Sequence, residues 1–169
     1  MSVLANRFRL EAHIGEGALA TVWRARDLVT GERVAIKRLK EAATSPSMRR
    51  RLRREARAVE QLDHPHVVRA ICLDDDAQGR PFLALELVAG EALSVALHGQ
   101  RPLGYLVPVV DQILSALAYA HARGVVHRDL TPNNVVVTRG AAGRPHIKLL
   151  DFGFARVQGE PETDDSKAT

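Results

Sequence analysis

Five short stretches carry residue types that can do chemistry together. The first, Gly15-Glu16-Gly17-Ala18-Leu19-Ala20-Thr21-Val22, sets two glycines between apolar segments. Glycine lets a backbone approach a phosphate and turn N–H groups toward it. No helix start follows, which excludes a dinucleotide fingerprint, and no Gly-Lys-Ser/Thr follows, which excludes a Walker-type loop. Taken alone, the pair reads first as a hairpin turn. The second stretch, Val34-Ala35-Ile36-Lys37, ends an apolar run on a cation. Lys37 is either a lysine snorkelling at a sheet edge or a charge aimed at phosphate oxygens. The third is Glu55, a carboxylate among Arg49, Arg50, Arg51, Arg53, Arg54 and Arg57. It is either a surface ion pair of little worth or the partner of Lys37, with Glu60 as a competitor. The fourth is His127-Arg128-Asp129-Leu130-Thr131-Pro132-Asn133-Asn134. Asp129 can accept a hydroxyl proton and Asn134 can offer an amide oxygen to a hard metal ion. His127 reads as a packed core histidine. The fifth, Asp151-Phe152-Gly153, puts a carboxylate directly after an apolar strand, a suitable place for Mg²⁺.

These residues need elements to hold them. Phe8 to Ile14, Thr21 to Arg26 and Arg33 to Arg38 read as three strands joined by short turns, an antiparallel meander. Ser45-Pro46-Ser47 is a helix start, and Leu52, Ala56, Val59 and Leu62 recur at helical spacing up to His64-Pro65. Val67 to Leu73 and Pro81 to Leu87 read as two further strands. After Val88-Ala89-Gly90 the pattern becomes helical, with a short piece at Leu93 to Leu97 and a long helix from Leu106 to Ala122. Val110, Ile113, Leu114, Leu117 and His121 are its expected apolar face. Val135 to Val137 and His146 to Leu149 are expected as short strands, and residues 158–169 as a polar, acidic tail.

Composition sets the outer bounds. The chain has 169 residues, 46% apolar and 26% charged, which suits a packed domain and excludes a disordered or collagen-like chain. The single cysteine, Cys72, excludes an internal disulfide. The best apolar stretch, Leu103 to Ala120, is interrupted by Pro108 and Asp111, so no membrane span is expected. The first residues lack the apolar run of a signal peptide, so the expected location is cytoplasmic.

In this order and context the five motifs resemble the eukaryotic-type protein kinase superfamily, above all the serine/threonine kinases of bacteria, from about Phe8 to Arg156. The resemblance implies an α+β, protein-kinase-like fold: a five-stranded antiparallel N-lobe with one main helix (residues 1–88) and a partial, mainly helical C-lobe (residues 89–169). It implies ATP and Mg²⁺ as cofactors and a protein substrate as partner, without nucleic acid. Ile14, Gly15, Gly17 and Val22 would cover the nucleotide, with Ala35 and Val136 on either side of adenine. Leu85 would guard the back of the pocket, and Glu86 and Val88 would present hinge backbone groups. Lys37, paired to Glu55, would hold phosphates; Asp129 would orient and deprotonate the acceptor hydroxyl; Asn134 and Asp151 would bind Mg²⁺. Asp129, Lys37 and Asn134 form the catalytic set this implies. Val59, His127 and Phe152 fit the family's apolar spine, and Arg128 its phosphate-pairing arginine.

Three departures matter. Ala20 replaces the loop's third glycine. Thr131 stands where serine/threonine kinases usually carry lysine, and is expected to hydrogen-bond Asp129 while stabilising the transition state less. The sequence also ends inside what would be the activation segment, which carries Thr163, Ser166 and Thr169. This favours an N-terminal fragment of a kinase whose long helix exposes an apolar face open to association. The alternatives are a non-catalytic ATP-binding regulatory module or a non-functional truncated gene product.

Overall fold

The computed structural model describes residues 2–17, 20–40, 45–140, 143–151 and 156–157. Ala18, Leu19, Phe152, Gly153 and the tail at 158–169 lie outside the described residues, as do the side chains of Arg51 and Glu55. The first half is an antiparallel sheet of six strands: β1 (Val3–Leu4), β2 (Phe8–Glu16), β3 (Ala20–Asp27), β4 (Arg33–Leu39), β5 (Ala70–Asp75) and β6 (Pro81–Glu86), in the order β1-β2-β3-β4-β6-β5. The five expected strands are present. The sixth, β1, is too short to carry a periodicity and pairs Val3 with Arg9 and Leu4 with Phe8. β5 starts at Ala70 rather than Val67, because Val67 instead bridges in parallel to Leu149.

Alternation along β4 divides the sheet's two faces. Val34 and Ile36 are buried in one cluster with Phe8, Leu10 and Phe82, whose two rings meet edge-on at 5.9 Å. Leu39 and Leu83 pack instead against helix α1 (Pro46–Glu60) through Leu52 and Ala56. Ser45 caps α1 by accepting from the Met48 N–H, and Pro46 supplies the pre-set first-turn dihedral.

The second half begins with β7 (Glu91–Ala92), α2 (Leu93–Ala96) and α3 (Leu103–His121). Then come β8 (Val125–Val126), a 3-10 turn at Pro132–Asn134, β9 (Val135–Arg139), β10 (Pro145–Leu149) and β11 (Arg156–Val157). β7, β9 and β10 form a small antiparallel sheet, and β8 pairs with β11. There is more strand here than the sequence suggests, because two-residue strands leave no pattern.

α3 differs from expectation in three ways. It begins at Leu103, three residues early, and runs unbroken through Pro108, whose missing N–H deprives only the Gly104 carbonyl of its helical donor. Being continuous, it is the one helix among the described residues long and apolar enough, by length and composition, to cross a membrane. Its buried face is Val109, Ala116 and Ala120, with Ile113 and Leu117 packed at the margin. Val110, Leu114 and His121 are exposed. Alanines weigh little in an apolar count, yet their small side chains are what let α3 lie close to β8 and β10. The resulting core joins Ala58 and Val59 of α1, and Leu62 just after it, to Val125, Val135, Ile147 and Leu149, so it runs continuously across residue 88.

Candidate functional site

The face of β4 opposite the Val34–Ile36 core carries Ala35 and Lys37. Register puts Val22 of β3 across from Lys37 and Leu85 of β6 across from Ala35. Strand geometry alone therefore collects four residues, distant in sequence, on one surface. Ile14 at the end of β2 and Val136 on β9 close over it. The outcome is a cavity of about 150 Å³ whose lining also includes Glu86 and Val88. Lys37 and Asp151 stand in the same wall, with the ammonium donating to Asp151 Oδ1. Val68, Leu87 and Leu150 line the cavity too and escaped the sequence reading; only their apolar character next to the singled-out residues pointed to them.

Gly15 pairs with Val22, and the Gly17 N–H donates to the Ala20 carbonyl at 2.8 Å, so the glycines close a hairpin beside the cavity without lining it. Glu55 falls on α1, and its expected pairing with Lys37 rests on a side chain outside the described residues.

Behind the cavity the hinge is tied by non-local bonds. The Glu86 N–H donates to the Arg69 carbonyl at 3.0 Å. The Glu86 carboxylate accepts from the Arg69 N–H at 2.8 Å and from Lys148 Nζ at 2.6 Å; Lys148 also donates to the Val67 carbonyl. Between α1 and β5, His66 bonds through its carbonyl to the Leu149 N–H at 2.8 Å, and the His64 ring lies 4.9 Å from that of Tyr119. Burial holds both histidines below the ordinary imidazole range; for His66 the Ile147 carbonyl pulls partly back.

The loop after β8 is fixed by hydrogen bonds rather than by charge. His127 is buried, with the Asp129 N–H donating to its Nδ1 at 3.3 Å and its Nε2 bonded to the Leu150 carbonyl at 2.9 Å, the core role expected of it. Asn134 Nδ2 donates to the Asp129 carbonyl at 2.8 Å and reaches the Asp129 carboxylate at 3.4 Å. That orientation turns Asn134 Oδ1 away from Asp129 and leaves it available as a hard donor. Arg128 and Asp151 both adopt left-handed backbone conformations, φ 62° and 61°, which are costly for residues with a side chain and cluster at functional loops. Thr131 does not act as expected: it is extended at the start of the 3-10 turn, and among the described residues no hydrogen bond joins its hydroxyl to Asp129. Among the described residues no group of three or more His, Cys, Asp or Glu is arranged to hold a metal by itself. A metal here would need oxygens from a bound phosphate to complete its shell, which fits Mg²⁺ with one carboxylate and one amide oxygen.

A family model described as protein kinase domain matches residues 8–169. The chain is 39% identical over 168 residues to serine/threonine-protein kinase pkn3 of Myxococcus xanthus, covering 98% of this chain and 30% of that protein. It is 36% identical over 163 residues to a probable serine/threonine-protein kinase, SCO3848, of Streptomyces coelicolor, covering 93% of this chain and 24% of that one. It is 36% identical over 168 residues to serine/threonine-protein kinase PknA of Mycobacterium tuberculosis, covering 95% and 38%. The chain thus spans 24–38% of the length of these relatives.

Proposed function

The chain belongs to the protein kinase domain family, and we propose that its chemistry is transfer of the γ-phosphoryl group of ATP to a serine or threonine hydroxyl of a protein. The observation that carries this reading is the convergence of an apolar, adenine-sized cleft with Lys37 and Asp151 at one end and the Asp129–Asn134 loop beyond them. Residues 1–88 and 89–169 act as the two lobes closing on the nucleotide, in the cytoplasm where ATP is plentiful.

The roles follow from chemistry. Ile14, Val22, Ala35, Leu85 and Val136 remove adenine surface from water, while the Glu86 carbonyl and Val88 N–H read its edge. Gly15 and Gly17 allow the hairpin to approach phosphates. Lys37 neutralises phosphate oxygens, with Glu55 as the carboxylate that orients it. Its contact with Asp151 opens when a nucleotide enters between them. Asn134 and Asp151 hold Mg²⁺, which supplies charge neutralisation on the phosphate oxygens. Asp129 orients the acceptor hydroxyl and takes its proton, and its position is maintained by Asn134 Nδ2.

A thermal-shift titration with Mg²⁺-ATP tests this, alongside transfer of radiolabel from ATP to a generic acceptor protein. The full chain is expected to shift upward and label the acceptor; Asp151→Asn is expected to weaken both. Absence of any shift with the unsubstituted chain would overturn the reading.

A further inference from the structure

Beyond the hinge, between the start of α3 and the β9–β10 hairpin, lies a groove of about 680 Å³, against about 150 Å³ for the cavity beside Lys37; Arg101, Arg139 and Arg144 line it with Tyr105 and Glu91. Three guanidinium groups around one concavity are unusual unless each is neutralised. These are not: among the described residues Arg139 and Arg144 have no carboxylate partner. Arg101 uses only Nε, bonded to the Ala96 carbonyl at 2.6 Å, and its guanidinium lies 5.3 Å from the Tyr105 ring centre. Elsewhere the arginines facing acids are paired, as with Arg7 to Asp27 and both Arg38 and Arg80 to Asp76.

Arg101 is fixed by its carbonyl bond and by the ring it covers. Arg139 and Arg144 stand at the end of the hairpin, where Arg139 opposes Pro145 in register and the Gly140 N–H donates to the Arg144 carbonyl at 2.8 Å. Each guanidinium presents a planar fork that matches carboxylate and phosphate oxygens.

We propose that this groove docks an acidic peptide segment of a protein partner, its carboxylates received by Arg101, Arg139 and Arg144. Glu91 favours a peptide over a nucleic acid. It repels a continuous polyanion, whereas a peptide can place its spaced carboxylates at the arginines and an N–H donor at Glu91. The volume suits a few extended residues rather than a duplex. The proposal goes beyond phosphoryl transfer and does not depend on it, since docking is read without nucleotide.

The test is fluorescence anisotropy of a labelled glutamate-rich peptide, with its glutamine counterpart as control, titrated with the full chain at low and physiological salt. The glutamate peptide is expected to bind, more weakly as salt rises, and the glutamine peptide not. Arg139→Glu/Arg144→Glu should weaken binding by about tenfold or more, and Arg139→Ala/Arg144→Ala by less. Arg50→Glu/Arg57→Glu on α1 makes the same change in net charge and should stay within about twofold. Thermal midpoints equal to the parent's establish that each variant is folded. Equal loss in the α1 variant, no binding by the parent, or tighter binding of a single-stranded RNA oligomer than of the peptide would each overturn the proposal.

Discussion

Replacing Gly90 by alanine separates two opposite physical expectations. Gly90 lies just past the hinge, and its φ is not among the positive ones, so the backbone accepts an L side chain. On that ground alone alanine should stabilise the chain by about 0.4–1 kcal/mol, by narrowing the unfolded ensemble. The surroundings reverse the sign. A Cβ added there sits 2.3 Å from the Val137 carbonyl oxygen, 2.8 Å from Val136 Cγ1 and 2.9 Å from the Val137 carbonyl carbon. Two of these atoms are backbone in β9, which is held on both sides by β7 and β10, so the strand cannot move alone. Overpacking of this kind costs about 1–3 kcal/mol, and the backbone clash argues for the upper half; the net loss is about 2 kcal/mol. For a chain of this size that lowers the midpoint by about 4–8 °C. Val136 also lines the nucleotide cavity, so pushing β9 away should weaken binding of an ATP analogue in the same samples. Differential scanning calorimetry measures the first effect and a titration the second. Gly104→Ala is the internal contrast: nothing lies within 4 Å of its added Cβ, and helix propensity should raise stability by about 0.5 kcal/mol. A Gly90→Ala midpoint at or above the parent's would refute the steric argument.

Acid should find the Arg7–Asp27 pair. The bond from the Arg7 guanidinium is the main cause holding the Asp27 carboxyl down at about 2, from an ordinary 3.8. The pair's contribution is complete above the unfolded value and is lost as pH falls from 3.8 toward 2. Because Arg7 is a third exposed (34%), that contribution is about 1–2 kcal/mol. Asp27→Asn should lower stability by this amount at pH 6 and by much less at pH 2.5 in urea titrations, whereas an equal loss at both would show that charge is not the cause. Thr131→Lys adds a cation next to Asp129 and should raise turnover by about tenfold in the radiolabel assay; an unchanged or lower rate sinks that role. On α3, Leu103, Val107, Val110 and Leu114 form an exposed apolar stripe at helical spacing, 51–76% accessible. Val107→Ser/Leu114→Ser should leave the midpoint within about 2 °C and reduce light scattering at high concentration; unchanged scattering would place association elsewhere.

What was legible in the sequence is what repeats or alternates over several residues. The apolar run Val34-Ala35-Ile36 placed Lys37 at the end of a strand, and the capped periodicity from Ser45 placed α1. Where the signal is a single small residue, reading failed: Ala116 and Ala120 set the buried face of α3, while Val110 and Leu114, heavier in any apolar count, point to solvent. Strands of two residues, such as β1 and β8, carry no pattern because their partners select them. The ties on Glu86 were hidden for the same reason. Lys148 alternates with buried Ile147 and Leu149, which fixes its face, but nothing local indicates that its ammonium meets a carboxylate from the hinge.

The motifs themselves illustrate the limit most clearly. Read along the chain, the Asp129 loop and Asp151 are separate signals more than twenty residues apart. In the fold one residue joins them: the Leu150 N–H donates to the Asn134 carbonyl at 2.8 Å, and the Leu150 carbonyl bonds to His127 Nε2 at 2.9 Å. The residues proposed as base, amide ligand and carboxylate ligand are therefore tied together through one main-chain unit as well as through the side chains of His127 and Asn134. Side-chain substitution at Leu150 leaves both bonds intact, which is why no residue preference there announces the connection. The left-handed backbone at Asp151, immediately after Leu150, is the cost of turning its carboxylate toward Lys37 while that unit stays paired.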